Sequence, residues 1–88
     1  MNDDIRRIAD HYGKAVHRLK CCEECAELIQ AILKGNVKDI LSEVADVRIT
    51  LEELCYHYGL AEEEIEEAMR FKIGRQLARM ERESGKQP

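Results

Sequence analysis

Apolar residues recur every three or four positions along most of the chain, which is the spacing of an amphipathic helix. The clearest stripe lies within residues 37–58, and we expect it to form a core face: Ile40, Val44, Val47, Leu51, Leu54 and Tyr58. Glycines at positions 13, 35, 59 and 85 stand where a left-handed residue commonly ends a helix. The pattern therefore predicts helices at about 3–12, 14–34, 37–58 and 61–83, with a flexible polar tail at 83–88.

Polar residues at two of the predicted helix starts agree with these boundaries. Asn36 is of a type that caps helix N-termini, and it precedes the third predicted helix. The fourth begins with acidic residues between positions 62 and 67, where the helix dipole favours negative charge. We interpret this acidic block as a solvated helix start; the alternative is a recognition surface.

The third predicted helix carries a second apolar strip, formed by Leu41, Ala45 and Ile49, at an angle to the first. A helix that is apolar on two sides needs two covering surfaces, and three long helices leave the second strip open. We therefore predict an all-α fold, a bundle of three long helices plus a short N-terminal helix, completed by oligomerisation.

Length and charge narrow the class of protein. The 88 residues suffice for a single domain, 1–88, and their net charge of −4 disfavours a nucleic acid polymer as partner. No apolar run reaches the roughly 18 residues that a membrane-spanning helix needs. The first residues, which include Asp3 and Asp4, lack the pattern of a signal peptide, so we expect a cytoplasmic protein with no membrane partner.

Cysteines crowd into the second predicted helix, where Cys21, Cys22 and Cys25 lie within five residues; the fourth is Cys55. Neighbouring positions on a helix point apart, so we interpret all of them as reduced thiols that contribute to packing. The alternative is redox or zinc chemistry at the Cys22–Cys25 pair with His17 as a further ligand, but no second cysteine pair supports it. We expect His17 to be solvated on its helix face.

Carboxylates provide the candidate chemistry. Glu24 and Glu27 lie three residues apart on the second predicted helix, as do Glu43 and Asp46 on the third, so each pair shares a face. The turn at residues 35–36 folds the two helices into an antiparallel hairpin, which predicts that the four acids converge. The alternative interpretation is a set of ordinary surface acids.

Converging carboxylates require neutralisation by protons or cations. A site with only oxygen ligands favours magnesium or manganese. Iron is disfavoured, because di-iron bundles use a histidine three residues after a glutamate, and neither His17 nor His57 has that spacing.

Basic residues accompany the carboxylates. Lys20 lies four residues before Glu24, and the fourth predicted helix carries a basic strip at Lys72, Arg75 and Arg79. A metal and basic side chains together are suited to binding a polyphosphate. For Arg79, a surface ion pair with Glu83 is the alternative.

The ordered set of residues resembles the MazG-like, all-α nucleoside triphosphate pyrophosphohydrolases. That family has a lysine, a short gap, Glu-Glu-x-x-Glu-Leu, a loop, and then Glu-x-x-Asp-Val. Here the matching segments are 20–28 (KCCEECAEL) and 43–47 (EVADV), and the resemblance extends over about residues 20–75.

The resemblance implies a Mg²⁺-dependent hydrolase that converts a nucleoside triphosphate to the monophosphate and pyrophosphate. It implies metal ligands at Glu24, Glu27, Glu43 and Asp46. It also implies activation of water by Glu23, catalytic and phosphate contacts from Lys20, and substrate contacts from Lys72 and Arg75. Short members of the family form homodimers or homotetramers in which neighbouring chains complete the nucleotide pocket.

The chain departs from the family pattern at residues 72–75 (KIGR), where relatives often carry an asparagine between the lysine and the arginine. It also has no tryptophan to stack on a base. The competing hypothesis is therefore a non-catalytic helical oligomer that binds nucleotide or protein partners.

Overall fold

Four α-helices account for most of the chain in a computed structural model, which describes residues 2–85. They are α1 (Asp3–Tyr12), α2 (Lys14–Lys34), α3 (Val37–Tyr58) and α4 (Glu62–Gly85). Residues 2–85 contain no strand, which confirms the predicted all-α class. The bounds of α1, α2 and α3 match the prediction. Because α4 continues to Gly85, residues 83–85 of the predicted tail are helical, and residues 86–88 lie outside the described residues.

The turn between α2 and α3 is set by two neighbouring residues. Gly35 adopts a left-handed conformation with φ 74°, and its N–H donates to the carbonyls of Ala31 and Ile32 at the end of α2. The side-chain oxygen of Asn36 accepts from the backbone N–H groups of Lys38 and Asp39, at 3.0 and 3.2 Å. Both ends of the turn are thus satisfied locally, and the chain reverses into an antiparallel hairpin.

The packed part of the molecule consists of the α2–α3 hairpin with α1 laid across both of its helices. Tyr56 on α3 donates a hydrogen bond of 2.6 Å to Asp10 on α1. Within residues 2–85, α4 packs against none of the other helices and has no buried residue. The molecule is accordingly elongated, with extents of 58 × 33 × 20 Å.

The interior of the hairpin differs from the predicted core face. Val47 is buried as predicted, but Leu51 and Tyr58 are 43% and 45% exposed. Thr50 and Glu53 are buried in their place, because α3 turns towards α2 a face on which Glu53 contacts the buried His17. The prediction that Leu51 and Tyr58 belong to the core is wrong.

The second apolar strip on α3 is open to solvent, with Leu41 71% and Ile49 42% exposed. A single chain therefore leaves this strip uncovered, as expected, while its cover by a partner stays a prediction. None of the helices within residues 2–85 has the length and apolar character required to cross a bilayer.

Candidate functional site: a carboxylate cluster beside a cavity

Three of the four predicted metal ligands converge. Glu24 and Glu27 on α2 and Glu43 on α3 each offer a carboxylate oxygen, and these oxygens all lie within 4.8 Å of one another. Glu24 is buried, while Glu27 and Glu43 are partly exposed. The hairpin thus brings these three acids together, while the predicted convergence of all four does not extend to Asp46. Asp46 lies one turn further along α3 and lines a cavity together with Glu24.

The acids of the cluster interact unfavourably with one another. The negative charge of Glu24 is the largest cause of a raised pKa at Glu27, followed by burial and by the charge of Glu43. One oxygen of Glu24 and one of Glu43, both Oε2, are buried without a hydrogen-bond partner among the described residues. Buried carboxylate oxygens without partners are costly, so the cluster is suited to a cation that prefers oxygen ligands.

Lys20 lies beside the cluster on the preceding turn of α2. Its ammonium nitrogen is 3.0 Å from Oε1 of Glu24, and its side chain remains half exposed. The hydrogen bond to Glu24, with the charges of neighbouring acids, raises the pKa of Lys20, so it stays protonated. Glu23, the predicted activator of water, is exposed on the same helix. Its catalytic role stays a prediction.

The predicted basic strip is not brought to the carboxylates within one chain. Lys72 and Arg75 are exposed on α4, where they line a surface depression with Gln76, Arg79 and Met80. In the described part of the chain α4 contacts neither α2 nor α3, so no packing holds its basic residues beside the cluster. Substrate contacts from Lys72 and Arg75 stay a prediction.

A cavity of about 430 Å³ adjoins the cluster between α1, α2 and α3. Its charged end is formed by Lys20, Glu24 and Asp46. The remaining lining combines apolar and polar side chains: Ile8, Tyr12, Val16, His17, Ile49, Thr50 and Glu53. The cavity can therefore hold a ligand with a charged end and a flat or apolar body.

The expectation that His17 is solvated is wrong, because the residue is 4% exposed. Its Nε2 lies 2.8 Å from Oε2 of Glu53, which is 3% exposed, and its Nδ1 lies 2.9 Å from Nε2 of His57. The sequence does contain a signal for this group. His17 stands seven residues before Glu24, and Glu53 seven after Asp46, so both continue the faces that carry the acids.

The four cysteines are free thiols. Burial is the largest cause of a raised pKa at both Cys25 and Cys55, which keeps these sulfurs in the weakly nucleophilic thiol form. Both nitrogens of His17 are used by Glu53 and His57 rather than by a cysteine. The geometry favours packing as the role of the thiols.

Fold and site together define a small helical protein with a cluster of acidic metal-ligand candidates at the edge of a cavity. No protein-family model, curated protein or solved structure matches the chain. The resemblance to the MazG-like enzymes therefore stays a prediction that rests on the residues themselves.

Proposed function

We propose that the protein is a Mg²⁺-dependent nucleoside triphosphate pyrophosphohydrolase of the MazG-like type. The observation that carries the proposal is the pair of buried, unpartnered oxygens on Glu24 and Glu43. They belong to a three-carboxylate cluster, and that cluster borders a cavity of about 430 Å³. A cation would neutralise the carboxylates, and a phosphate group bound to it would occupy the adjoining cavity.

The metal would be held by Glu24, Glu27 and Glu43, with Asp46 as the fourth ligand on the cavity side. Magnesium, or manganese in its place, fits a donor set made only of oxygen. When bound, the ion would polarise a phosphoryl group and orient the attacking water.

Side chains of the chain itself would handle the phosphates and the proton. Lys20 is protonated beside Glu24 and is placed to neutralise negative charge on a phosphate. Glu23 would accept a proton from the attacking water. In the cavity, the body of the nucleotide would rest on apolar side chains such as Tyr12 and Ile49.

Assembly into a homodimer or homotetramer is part of the proposal, because α4 needs a cover. The accessible surface is 7302 Å², against about 5300 Å² for a compact monomer of this mass. The radius of gyration is 17.0 Å, against about 12 Å for a compact domain of this length. The exposed apolar side chains of α4 form a stripe that includes Met69, Ile73, Leu77 and Met80. A second copy packed on this apolar stripe would bury it and bring Lys72 and Arg75 to a neighbouring cluster. We place this assembly in the cytoplasm.

One observation favours a second candidate, a non-catalytic helical oligomer that binds nucleotides or proteins. The helix α4 carries the segment that departs from the family pattern, and it makes no contact with the cluster in the described part of the chain. On this hypothesis the cluster binds a metal and a nucleotide without hydrolysis.

The test is pyrophosphate release from a panel of ribo- and deoxyribonucleoside triphosphates, normal and modified, with Mg²⁺ or Mn²⁺. We expect turnover of at least one nucleotide by the unmodified protein, and a loss of about a hundredfold or more in Glu43→Gln. Glu52→Gln, an exposed change on the same helix, serves as the matched control and should retain activity.

Absence of release from every nucleotide, or full activity in Glu43→Gln, would contradict the proposal. Metal-dependent nucleotide binding without release would instead support the second candidate.

A further inference from the structure

Buried polar side chains extend from the cavity into the interior, at a level distinct from the carboxylate cluster. Glu53 and His17 both line the cavity, and His57 lies behind His17. The partners of His17 engage opposite edges of its ring, through Nε2 and Nδ1. They cannot converge on one ion, so the arrangement serves hydrogen bonding rather than metal binding.

The direction of the hydrogen bonds follows from the chemistry of the groups. An ionised carboxyl only accepts, so Nε2 of His17 carries the hydrogen that is donated to Oε2 of Glu53. In a neutral His17, Nδ1 is then the acceptor, and Nε2–H of His57 donates to it. Both nitrogens of His17 are therefore occupied, and the bonds fix the orientation of the Glu53 carboxyl.

Glu53 keeps one acceptor for a ligand. The hydrogen bonds and ion pairs of residues 2–85 engage only its Oε2, which leaves Oε1 for a group inside the cavity. An oriented acceptor with no donor of its own distinguishes an N–H group from a carbonyl oxygen.

The position of this acceptor suits the far end of a nucleotide. Glu53 lies seven residues beyond Asp46 on α3, and His17 lies seven before Glu24 on α2. Seven residues of helix span about 10.5 Å, which is comparable to the length of a nucleoside from its 5′ oxygen to the outer edge of its base. Tyr12 and Ile49 line the cavity as well and offer apolar surface to a ring.

We propose that Glu53 is a specificity-determining residue that accepts a hydrogen bond from an exocyclic amino group of the base, with His17 and His57 as its positioning residues. The proposal rests on the proposed function, because it takes the cavity to be the nucleotide site. A hydrogen bond of this kind selects cytosine or adenine over uracil or hypoxanthine, which present a carbonyl oxygen at the same position. A carbonyl there would face the carboxylate without a donor between them.

The test compares kcat/KM within two substrate pairs that differ only at this position, dCTP with dUTP and dATP with dITP. We expect the unmodified protein to prefer the amino member of at least one pair by about tenfold or more. In Glu53→Gln the ratio should fall towards one, because an amide can donate to a carbonyl as well as accept from an amine. Glu52→Gln is the matched control and should keep the ratio of the unmodified protein.

Equal kcat/KM for both members of each pair in the unmodified protein would overturn the inference, whether or not the variant folds. A ratio that is unchanged in a folded Glu53→Gln would overturn it as well. In either case measurable turnover leaves the proposed function standing. A purely structural role of Glu53 would lower both members of a pair alike and leave their ratio intact.

Failure of the proposed function is recognised separately, as absence of turnover with every nucleotide. Thermal shift with CMP against UMP, and with AMP against IMP, then tests Glu53 without catalysis. Stronger stabilisation by an amino member, lost in Glu53→Gln, supports the inference. Equal shifts within both pairs overturn it.

Discussion

The α2–α3 hairpin and α4 are built from helices of similar length, 21 and 22 residues against 24, yet of the two only the hairpin buries side chains within the described residues. The hairpin buries charged and polar groups, among them Glu24 and Glu53. The α4 helix exposes its apolar stripe, with Ile73 51% and Leu77 53% exposed. Burial in this protein therefore follows the partner that each helix has, and not the polarity of its residues.

The difference has an energetic side. Buried polar groups are tolerated only when they are paired, as His17 is with Glu53, or when a ligand completes them. Exposed apolar side chains on a helix without tertiary contacts gain nothing from the hydrophobic effect until another surface covers them. The hairpin thus has its stabilising contacts within one chain, whereas we expect those of α4 to come from a second copy.

The largest expected effect comes from breaking the buried pair in the hairpin. Replacing His17 by alanine leaves the carboxylate of Glu53 buried without its partner, and we expect the free energy of unfolding to fall by about 3 kcal/mol. Gln76→Ala, an exposed change on α4, should alter it by no more than about 0.5 kcal/mol. Urea unfolding followed by circular dichroism measures both.

A milder change sharpens the same comparison. Glu53→Gln keeps an acceptor for His17 without a charge, so its loss of stability should be smaller than that of His17→Ala. If His17→Ala and Gln76→Ala have equal effects, the pair contributes nothing to the hairpin, and the contrast between the two regions is lost.

The helix boundaries could be predicted from the sequence because local residues determine them. Gly35 ends α2 and Asn36 caps α3 through contacts within a few residues, and both were recognisable from residue type. Convergence of the acids followed from the same turn, since a hairpin of known length sets which residues lie at the same height. That argument predicted that four carboxylates meet; three of them do, and Asp46 is not in the group.

The rotation of α3 could not be predicted from apolar spacing. The helix has two apolar stripes, and spacing alone does not decide which direction between them faces α2. That choice involves a polar pair between residues 36 apart in the chain, His17 and Glu53, which no local pattern contains. The location of α4 could not be predicted from the sequence either, because within residues 2–85 α4 makes no contact with another helix that would fix it.

A smaller effect is expected from truncating the apolar stripe of α4. In Ile73→Ala the free energy of unfolding should fall by about 2 kcal/mol at high protein concentration, where a second copy covers the helix. At low concentration, where the chain is a monomer, the change should stay within about 0.5 kcal/mol. Denaturation over a range of concentrations, with light scattering for the mass, measures both limits.

A mass that stays near 10.2 kDa at every concentration would contradict this prediction and leave α4 without its proposed cover. Val16→Ala, an exposed change on the hairpin, is the control, and its effect should not depend on concentration.

The smallest expected effect is a gain, from removing charge in the carboxylate cluster. Glu27 is repelled chiefly by Glu24, which raises its pKa above the ordinary value of 4.5. The folded protein therefore holds a proton at pH values where the unfolded chain has already lost it. It follows that stability falls as pH rises from about 4.5 through the raised pKa, and the cost persists at higher pH. With a chelator present, Glu27→Gln should have a higher Tm than the unmodified protein at neutral pH.

The same variant separates repulsion from metal binding. Well below pH 4.5 the carboxyl is protonated in both states, so the difference in Tm between Glu27→Gln and the unmodified protein should vanish. Adding Mg²⁺ at neutral pH should raise the Tm of the unmodified protein more than that of the variant, because the bound cation would be ligated by the Glu27 carboxylate and would offset its repulsion by Glu24. Glu63→Gln on the exposed α4 is the control and should differ from the unmodified protein in neither respect. If Glu63→Gln and Glu27→Gln have the same pH profile or the same Mg²⁺ response, the carboxylate cluster binds a cation no better than an ordinary surface acid does.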